Sequence, residues 1–216
     1  MMIRHFKTIG VVMFISMLAL LASGCTQLSG SETPEPEQRK GPAEVTLTPV
    51  DLFKGDGAKF KPFLGAMSGA FKLRYEGNRP NAKLDIDIWQ NGKKVDSSGS
   101  IGDLFLGSDV RESHEVEVII SIDVVSIQGQ EEFNTIKVGT IHDSGSSTAT
   151  FTMPWDNKLT TRGLIYNNEP HTFIADDSVY VWGMQATSTN VMNTADLSPE
   201  SLSKLEWALI FTLHFE

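Results

Sequence analysis

Apolar and polar residues alternate with a period of two over much of the chain, a pattern typical of β-strands with one buried face. The alternation is clearest in residues 71–75, 84–88, 116–124 and 207–215. Residues 179–184 are apolar on both faces, which indicates a central strand. Together with the weaker segments, the pattern predicts about eight to nine strands.

Turn residues separate these segments, and little helix is predicted. Asn91-Gly92 lies between two strand-like runs and is the strongest short signal of a β-hairpin. Ser198-Pro199-Glu200 combines an N-cap residue with a proline at the first helical position, so it predicts one short helix near the C-terminus. The chain is therefore expected to be all-β. Two or three large side chains per strand favour an antiparallel β-sandwich over an open barrel.

The apolar faces also predict how three of the strands pair. Residues 69–76, 82–90 and 93–97 are expected to form a meander in which Trp89 lies opposite Lys94. The register that matches the apolar faces brings opposite charges together on the other face, as Glu76 with Lys83, Arg74 with Asp85, and Lys72 with Asp87. Such a register predicts a solvated charge ladder rather than a calcium site, and this ladder would offset the repulsion of Asp87 by Asp96.

A longer hairpin is predicted between residues 113–127 and 132–142. Its expected register places Val124 opposite Ile136. The second face of this hairpin carries several isoleucines and is not cleanly polar. We therefore expect that a loop or helix covers this face, or that it forms an exposed apolar patch.

The N-terminal residues have the pattern of a secretory signal peptide. Arg4 and Lys7 precede an apolar run at residues 9–22, and the small residues Ser23 and Gly24 follow it. A membrane-spanning helix needs about 20 apolar residues, so a transmembrane anchor is the weaker interpretation. Residues 1–24 are predicted to be a signal peptide.

Cys25 is the only cysteine of the chain, and it stands directly after these small residues. The stretch ending in Gly24-Cys25 resembles the lipobox of bacterial lipoproteins. The resemblance implies that the Cys25 thiol carries a diacylglyceryl group, that cleavage precedes Cys25, and that the new amino terminus is often acylated. It covers about the first 25 residues and implies nothing about the remaining domain. The alternative is an ordinary secreted protein whose cysteine lies near the cleavage site.

The segment 25–42 is rich in Pro, Glu, Ser and Gly and is predicted to be a flexible tether. Residues 43–216 are enough for one core and are predicted to form a single β-sandwich domain. The expected location is the extracytoplasmic side of a cell membrane, held by lipid. Two or more acyl chains are sufficient for stable anchoring.

The charge of the chain limits the partners that it can bind. Its formal net charge is −9, and loss of Arg4 and Lys7 with the signal peptide leaves −11. Nucleic acid would be repelled by this surface and is not an expected partner. An anionic lipid surface would be repelled as well, so the lipid of Cys25 is expected to hold the protein on the bilayer.

Catalytic, metal-binding and cofactor motifs are missing from the sequence. There is no G-x-S-x-G, H-E-x-x-H or phosphate-binding glycine loop, and the only thiol lies at the predicted lipidation site. No catalytic residue, metal or cofactor is therefore predicted. His171 lies near Asp176 and Asp177, which makes a partial cluster conceivable. Trp89 falls on the polar face of its strand and could stack on a sugar or hold a cation.

These four residues are the candidate ligand-binding positions. The leading hypothesis is a lipoprotein whose β-sandwich binds a ligand, such as an envelope protein or a carbohydrate, without catalysis. The alternative is a hydrolase of envelope polymers that uses Asp176 or Asp177 as acid and base. That alternative needs two carboxyl groups about 5–9 Å apart in a cleft, one of them desolvated.

Overall fold

Eleven β-strands in the described part of the chain form two antiparallel sheets packed as a β-sandwich. The structure is a computed structural model, and it describes residues 41–106, 115–126 and 132–216. The predicted β-sandwich is confirmed. The strands number more than eight or nine because the alternation did not identify three of them, at Glu44–Val50, Thr161–Tyr166 and His171–Ile174. Cys25 and residues 1–40 lie outside the described residues.

The first sheet contains six strands in the order β7-β6-β5-β2-β1-β9. Its strands are β1 (Glu44–Val50), β2 (Ser68–Glu76), β5 (Glu115–Val125), β6 (Phe133–His142), β7 (Gly145–Pro154) and β9 (His171–Ile174).

The second sheet contains five strands in the order β4-β3-β11-β10-β8. Its strands are β3 (Ala82–Gln90), β4 (Lys93–Ile101), β8 (Thr161–Tyr166), β10 (Val179–Thr187) and β11 (Trp207–Phe215). Three short helical segments accompany the strands: a 3-10 helix at Gly55–Phe60 and α-helices at Lys61–Leu64 and Pro199–Leu202. No helix of the described residues is long and apolar enough to cross a membrane.

The main core lies between the sheets, where the inward faces of the alternating strands meet. Phe71 and Leu73 of the first sheet belong to the same buried cluster as Leu84 and Ile86 of the second. A second apolar cluster lies on the outer face of the second sheet, under the segment 195–205. Its buried members are Ile165, Leu197, Leu202, Leu205, Ala208 and Ile210. Residues 43–216 therefore carry every described strand and both clusters.

The predicted charge ladder is wrong, because β2 and β3 do not pair with each other. β2 pairs with β1 and β5 in one sheet, and β3 pairs with β4 and β11 in the other. The two apolar faces meet across the core instead of side by side. Lys72 Nζ bonds Glu115 Oε1 at 2.8 Å rather than Asp87, and this hydrogen bond raises the pKa of Lys72.

The turn between β3 and β4 agrees with the prediction, whereas the register beyond it does not. Asn91 and Gly92 have φ values of 50° and 73°, as a two-residue primed turn requires, and Trp89 lies opposite Lys94. A β-bulge then shifts the register, so that Asp87 lies opposite Ser97 and the expected pairing with Asp96 does not form.

The β5–β6 hairpin forms, but its register is two residues from the expected one. Val124 lies opposite Asn134, and Ile136 lies opposite Ile122. A shift by two keeps every side chain on its predicted face. On the second face, Ser121 is buried and donates a hydrogen bond of 2.9 Å to the Leu64 carbonyl. The end of the helix Lys61–Leu64 therefore covers this part of the face, as expected of a loop or helix.

Candidate functional site

A cavity of about 510 Å³ opens at one end of the sandwich, between the two sheets. One wall is formed by β1 and β2, and the other by β8 and β10. The segment 50–53 and residues 167–168 complete its border. A volume of this size lies within the range of small-molecule sites, so we call this space the end cavity and treat it as the candidate binding site.

The walls of the end cavity are mainly apolar, and polar groups are few. Apolar and aromatic lining residues include Leu47, Val50, Leu52, Phe53, Phe71, Leu164, Val181 and Trp182. The polar residues are Asp51, Lys61, Ser68, Tyr166, Asn167 and Asn168. Apolar walls with a small number of polar groups are the usual composition of a site for an apolar or amphiphilic molecule.

Trp182 is a buried aromatic residue of the lining, and its position depends on a glycine. Its indole ring meets the ring of Phe211 edge to face, with centroids 5.3 Å apart. A Cβ atom at Gly69 would overlap the indole nitrogen of Trp182. Gly69 therefore leaves the room that the indole occupies, and the alternation of β10 places the ring between the sheets.

Several polar groups of the lining are held by local bonds. The Asp51 carboxylate accepts a hydrogen bond of 3.0 Å from the Phe53 amide, which fixes the turn after β1. Lys61 Nζ lies 5.6 Å from the centroid of the Phe53 ring. Asn167 Nδ2 lies 3.5 Å from His171 Nδ1. Lys61 is the one cation among the described residues of the lining, and it can pair with an anionic group of a ligand.

The structure separates the three loop residues that were proposed as a cluster. His171 begins β9 and reaches the cavity border through Asn167. Asp176 and Asp177 lie in the turn after β9, beyond its four residues, and both are exposed. The Asp177 carboxylate accepts a hydrogen bond of 2.7 Å from the Ser178 amide. No group of three metal-binding side chains is found in the ranges that the structure covers.

Trp89 lies on the outer face of the second sheet, away from the end cavity. Its half-buried ring meets Tyr180 edge to face, with centroids 5.7 Å apart, and it packs on the second apolar cluster. Thus, of the four candidate residues, only His171 lies near the cavity.

One line of polar groups joins a hydroxyl, an imidazole and a carboxylate. Ser178 Oγ lies 2.7 Å from His214 Nδ1, and His214 Nε2 lies 3.4 Å from Asp85 Oδ2. A serine, histidine and carboxylate in line can activate the hydroxyl for acyl transfer. Lys83 Nζ lies 3.0 Å from Asp85 Oδ1, and this hydrogen bond raises the pKa of Lys83. The carboxylate is thus already paired with a cation.

A second, more open cavity of about 410 Å³ borders the start of β11. Trp155 and Trp207 meet there edge to face, with centroids 5.4 Å apart, and Asp156 and Glu206 lie beside them. Hydrogen bonds from Thr187 and Ser188 lower the pKa of Glu206. A general acid needs a raised pKa, so Glu206 does not suit that role here.

The sequence reasoning missed the residues of the end cavity. They come from β1, β2, β8, β10 and two loops, and β1 and β8 were not predicted as strands. The aromatic and basic residues between Phe53 and Phe63 were a visible signal, but the sequence does not show that they border a cavity. Comparison with protein-family models, curated proteins and solved structures finds no match to the chain.

Proposed function

We propose that this chain is a lipid-anchored extracytoplasmic lipoprotein whose β-sandwich binds an apolar or amphiphilic small molecule without catalysis. The observation that carries the proposal is the end cavity. It has a volume of about 510 Å³ and combines aromatic walls with a few polar groups. The anchoring and location rest on the resemblance of the residues before Cys25 to a lipobox.

The arrangement of the walls suits binding because the main lining residues lie on paired strands. Trp182 lies opposite Tyr166 in the β8–β10 pair, and Phe71 lies opposite Pro49 in the β1–β2 pair. Strand pairing fixes these side chains before a ligand arrives, which limits the entropy lost on binding. An apolar ligand body is expected between the sheets, with an anionic or polar group near Lys61.

Binding of 1-anilinonaphthalene-8-sulfonate to residues 43–216 tests the cavity, because this fluorescent probe is apolar and carries one anionic group. We expect saturable binding at one site. Leu164→Trp adds a large side chain to the lining and is expected to weaken binding about tenfold or more. Leu106→Trp is the matched control, since Leu106 is 67 % exposed and does not line the cavity. Equal binding by both variants would place the probe elsewhere.

The anchoring has its own test in cells. We expect Cys25→Ser to move the protein from the membrane fraction to the medium, or to leave an uncleaved precursor, because serine has no thiol for the lipid. Fractionation and the mass of the amino-terminal fragment measure the outcome. A variant still cleaved after Gly24 and still bound to the membrane would contradict the lipoprotein assignment.

A hydrolase of envelope polymers is the second candidate, and the line Ser178–His214–Asp85 is the observation that favours it. Asp176 and Asp177 are exposed in a turn, where neither carboxyl is desolvated. In the serine route, Ser178 Oγ would attack an ester carbonyl as its proton passes to His214 Nδ1. The imidazolium would then protonate the leaving alcohol, and water would release the acyl group.

A fluorophosphonate probe tests this second candidate, because it forms a stable bond only with an activated serine. If the route operates, the probe labels the wild type, and Ser178→Ala and His214→Gln both lose the label. Ser146→Ala is the control, as Ser146 is an exposed strand serine that lies outside this line. A wild type that stays unlabelled under conditions that label a serine hydrolase would remove the second candidate.

A further inference from the structure

Two phenylalanines are unusually exposed in the segment between β1 and β2. Phe60 is 51 % exposed and Phe63 is 80 % exposed. They lie three residues apart in the 3-10 helix and the α-helix that follows it, and neither helix has a buried residue. Side chains at this spacing lie on the same side of a helix. Single exposed apolar residues are common, but two adjoining aromatic rings form a surface that favours contact with a partner.

The backbone of this segment is held on the first sheet, so the exposure is not that of a loose loop. The Leu64 carbonyl accepts hydrogen bonds from the hydroxyls of Ser68 and Ser121. Pro62 stands at the start of the α-helix, where its fixed φ suits the helix. Gly65 ends the helix with a φ of 76°, a conformation that glycine adopts without strain. The two rings are therefore presented outward by a fixed backbone.

Three lysines lie close to the exposed rings in the sequence. Residues 53–64 contain Lys54, Lys59 and Lys61 against one acidic residue, Asp56. Lys59 Nζ lies 5.3 Å from the centroid of the Phe60 ring, so this cation and the Phe60 ring form one patch. This local positive charge is opposite to the net charge of the chain, −9.

We infer that this basic-aromatic segment, residues 53–64, docks the domain on an anionic phospholipid bilayer. Phe60 and Phe63 enter the boundary between headgroups and acyl chains, and the lysines contact lipid phosphates. Aromatic residues beside lysines are the composition that binds this boundary. The acidic remainder of the domain is repelled by such a surface, so only this side can approach it.

A second copy of the chain fits the same patch less well than a bilayer does. A symmetric contact through the patch would bring the lysines of both copies together, and like charges in contact oppose association. A bilayer supplies both the apolar layer for the rings and the negative charge for the lysines. Charge complementarity therefore selects the lipid surface as the occupant.

An N-terminal anchor leaves room for this contact. The segment follows the far end of β1, and seven residues of strand span about 23 Å. The 18 residues from Cys25 to Pro42 span at most about 60 Å when extended. Phe53 and Lys61 also line the end cavity, so docking places that cavity beside the lipid surface. The docking itself does not depend on whether the cavity holds a ligand.

Site-specific photocrosslinking in vesicles tests the proposal with the full-length chain. p-Benzoylphenylalanine replaces Phe63 in one protein and Val191 in another. Val191 is the matched control because it is 74 % exposed and lies outside the segment. The lipid proposed at Cys25 is expected to hold the chain on vesicles with or without phosphatidylglycerol, so the measurement is contact by the domain rather than overall binding. Mass spectrometry quantifies crosslinked phospholipid.

We expect crosslinking to lipid from position 63 to exceed that from position 191 about tenfold in vesicles with phosphatidylglycerol. Replacing Lys54, Lys59 and Lys61 together by glutamine is expected to reduce it toward the level seen with phosphatidylcholine alone. Equal lipid labelling from both positions would overturn the proposal, and so would crosslinking of position 63 mainly to a second copy. Lipid labelling that stays the same after the three lysines are replaced would also contradict the proposal, since the positive charge would then have no part in docking.

Discussion

Replacing Gly92 with alanine is expected to lower the free energy of unfolding by about 3 kcal/mol. Gly92 has a φ of 73°, where a side chain is strained. An alanine Cβ would also overlap the carbonyl oxygen of Ser203, which belongs to the backbone and cannot turn aside. The amides of Asn91 and Gly92 donate hydrogen bonds of 2.9 and 2.8 Å to the carbonyls of Glu206 and Leu205. If the turn and the segment 203–206 separate to relieve this overlap, both of these hydrogen bonds are weakened.

Gly55→Ala separates the two contributions to this loss. Gly55 has a φ of 60°, but nothing lies within 4 Å of a Cβ built there. Its replacement should cost about 1 kcal/mol from backbone strain alone. Urea unfolding of residues 43–216, followed by tryptophan fluorescence, measures both variants. Equal losses would show that the contact between the β3–β4 turn and the segment 203–206 contributes nothing.

This turn also shows which part of the fold a sequence can specify. A primed two-residue turn is a local property of Asn91-Gly92, and it is present where the sequence predicts it. The faces of the strands follow equally well from alternation. The hairpin β5–β6 kept every predicted face although its register was two residues away, because the alternation has the same period.

The choice of partner strand was not predictable in the same way. The faces of Phe71–Leu73 and of Leu84–Ile86 match equally well as neighbours in one sheet or as opposite walls of a core. The sequence alternation supports both arrangements, and the structure adopts the second. The predicted charge pairs depended wholly on the first arrangement, so they failed together. A local pattern identifies a buried face but not the strand that covers it.

The candidate site could not be predicted from the sequence for a related reason. The end cavity exists where two sheets separate, and its walls come from residues far apart in the chain, such as Leu47 and Trp182. The aromatic and basic residues of the basic-aromatic segment, residues 53–64, were visible in the sequence. Only the exposure of Phe60 and Phe63 in the structure distinguishes this segment from a buried aromatic turn.

Replacing Lys94 with methionine is expected to lower the free energy of unfolding by about 2 kcal/mol. Asp87 is only 2 % exposed, yet its carboxylate contacts Lys94 Nζ at 2.7 Å and accepts a hydrogen bond of 2.9 Å from Thr212. Methionine removes the cation and leaves the buried carboxylate without its charged partner. The loss is smaller than for a fully buried pair because the Lys94 side chain is 45 % exposed and water reaches this side.

Lys93→Met is the matched control for a lost lysine on the same strand. Lys93 is exposed, and among the described residues no carboxylate forms a salt bridge with it, so a change of less than about 0.5 kcal/mol is expected. Adding Asp87→Asn to Lys94→Met should recover a large part of the loss, because the amide is neutral and still accepts the Thr212 hydrogen bond.

The comparison of single and double variants measures how far the buried charge of Asp87 depends on Lys94. The β-bulge shifts the register between Ile88 and Trp89, and beyond it Asp87 lies opposite Ser97 instead of Asp96. Lys94 lies opposite Trp89, and from there its amine reaches the carboxylate of Asp87. The bulge removes the like charge of Asp96 from the position opposite Asp87. Coupling between the two substitutions, measured by urea unfolding, would then be large. A double variant no more stable than Lys94→Met alone would mean that the buried charge of Asp87 does not depend on this lysine.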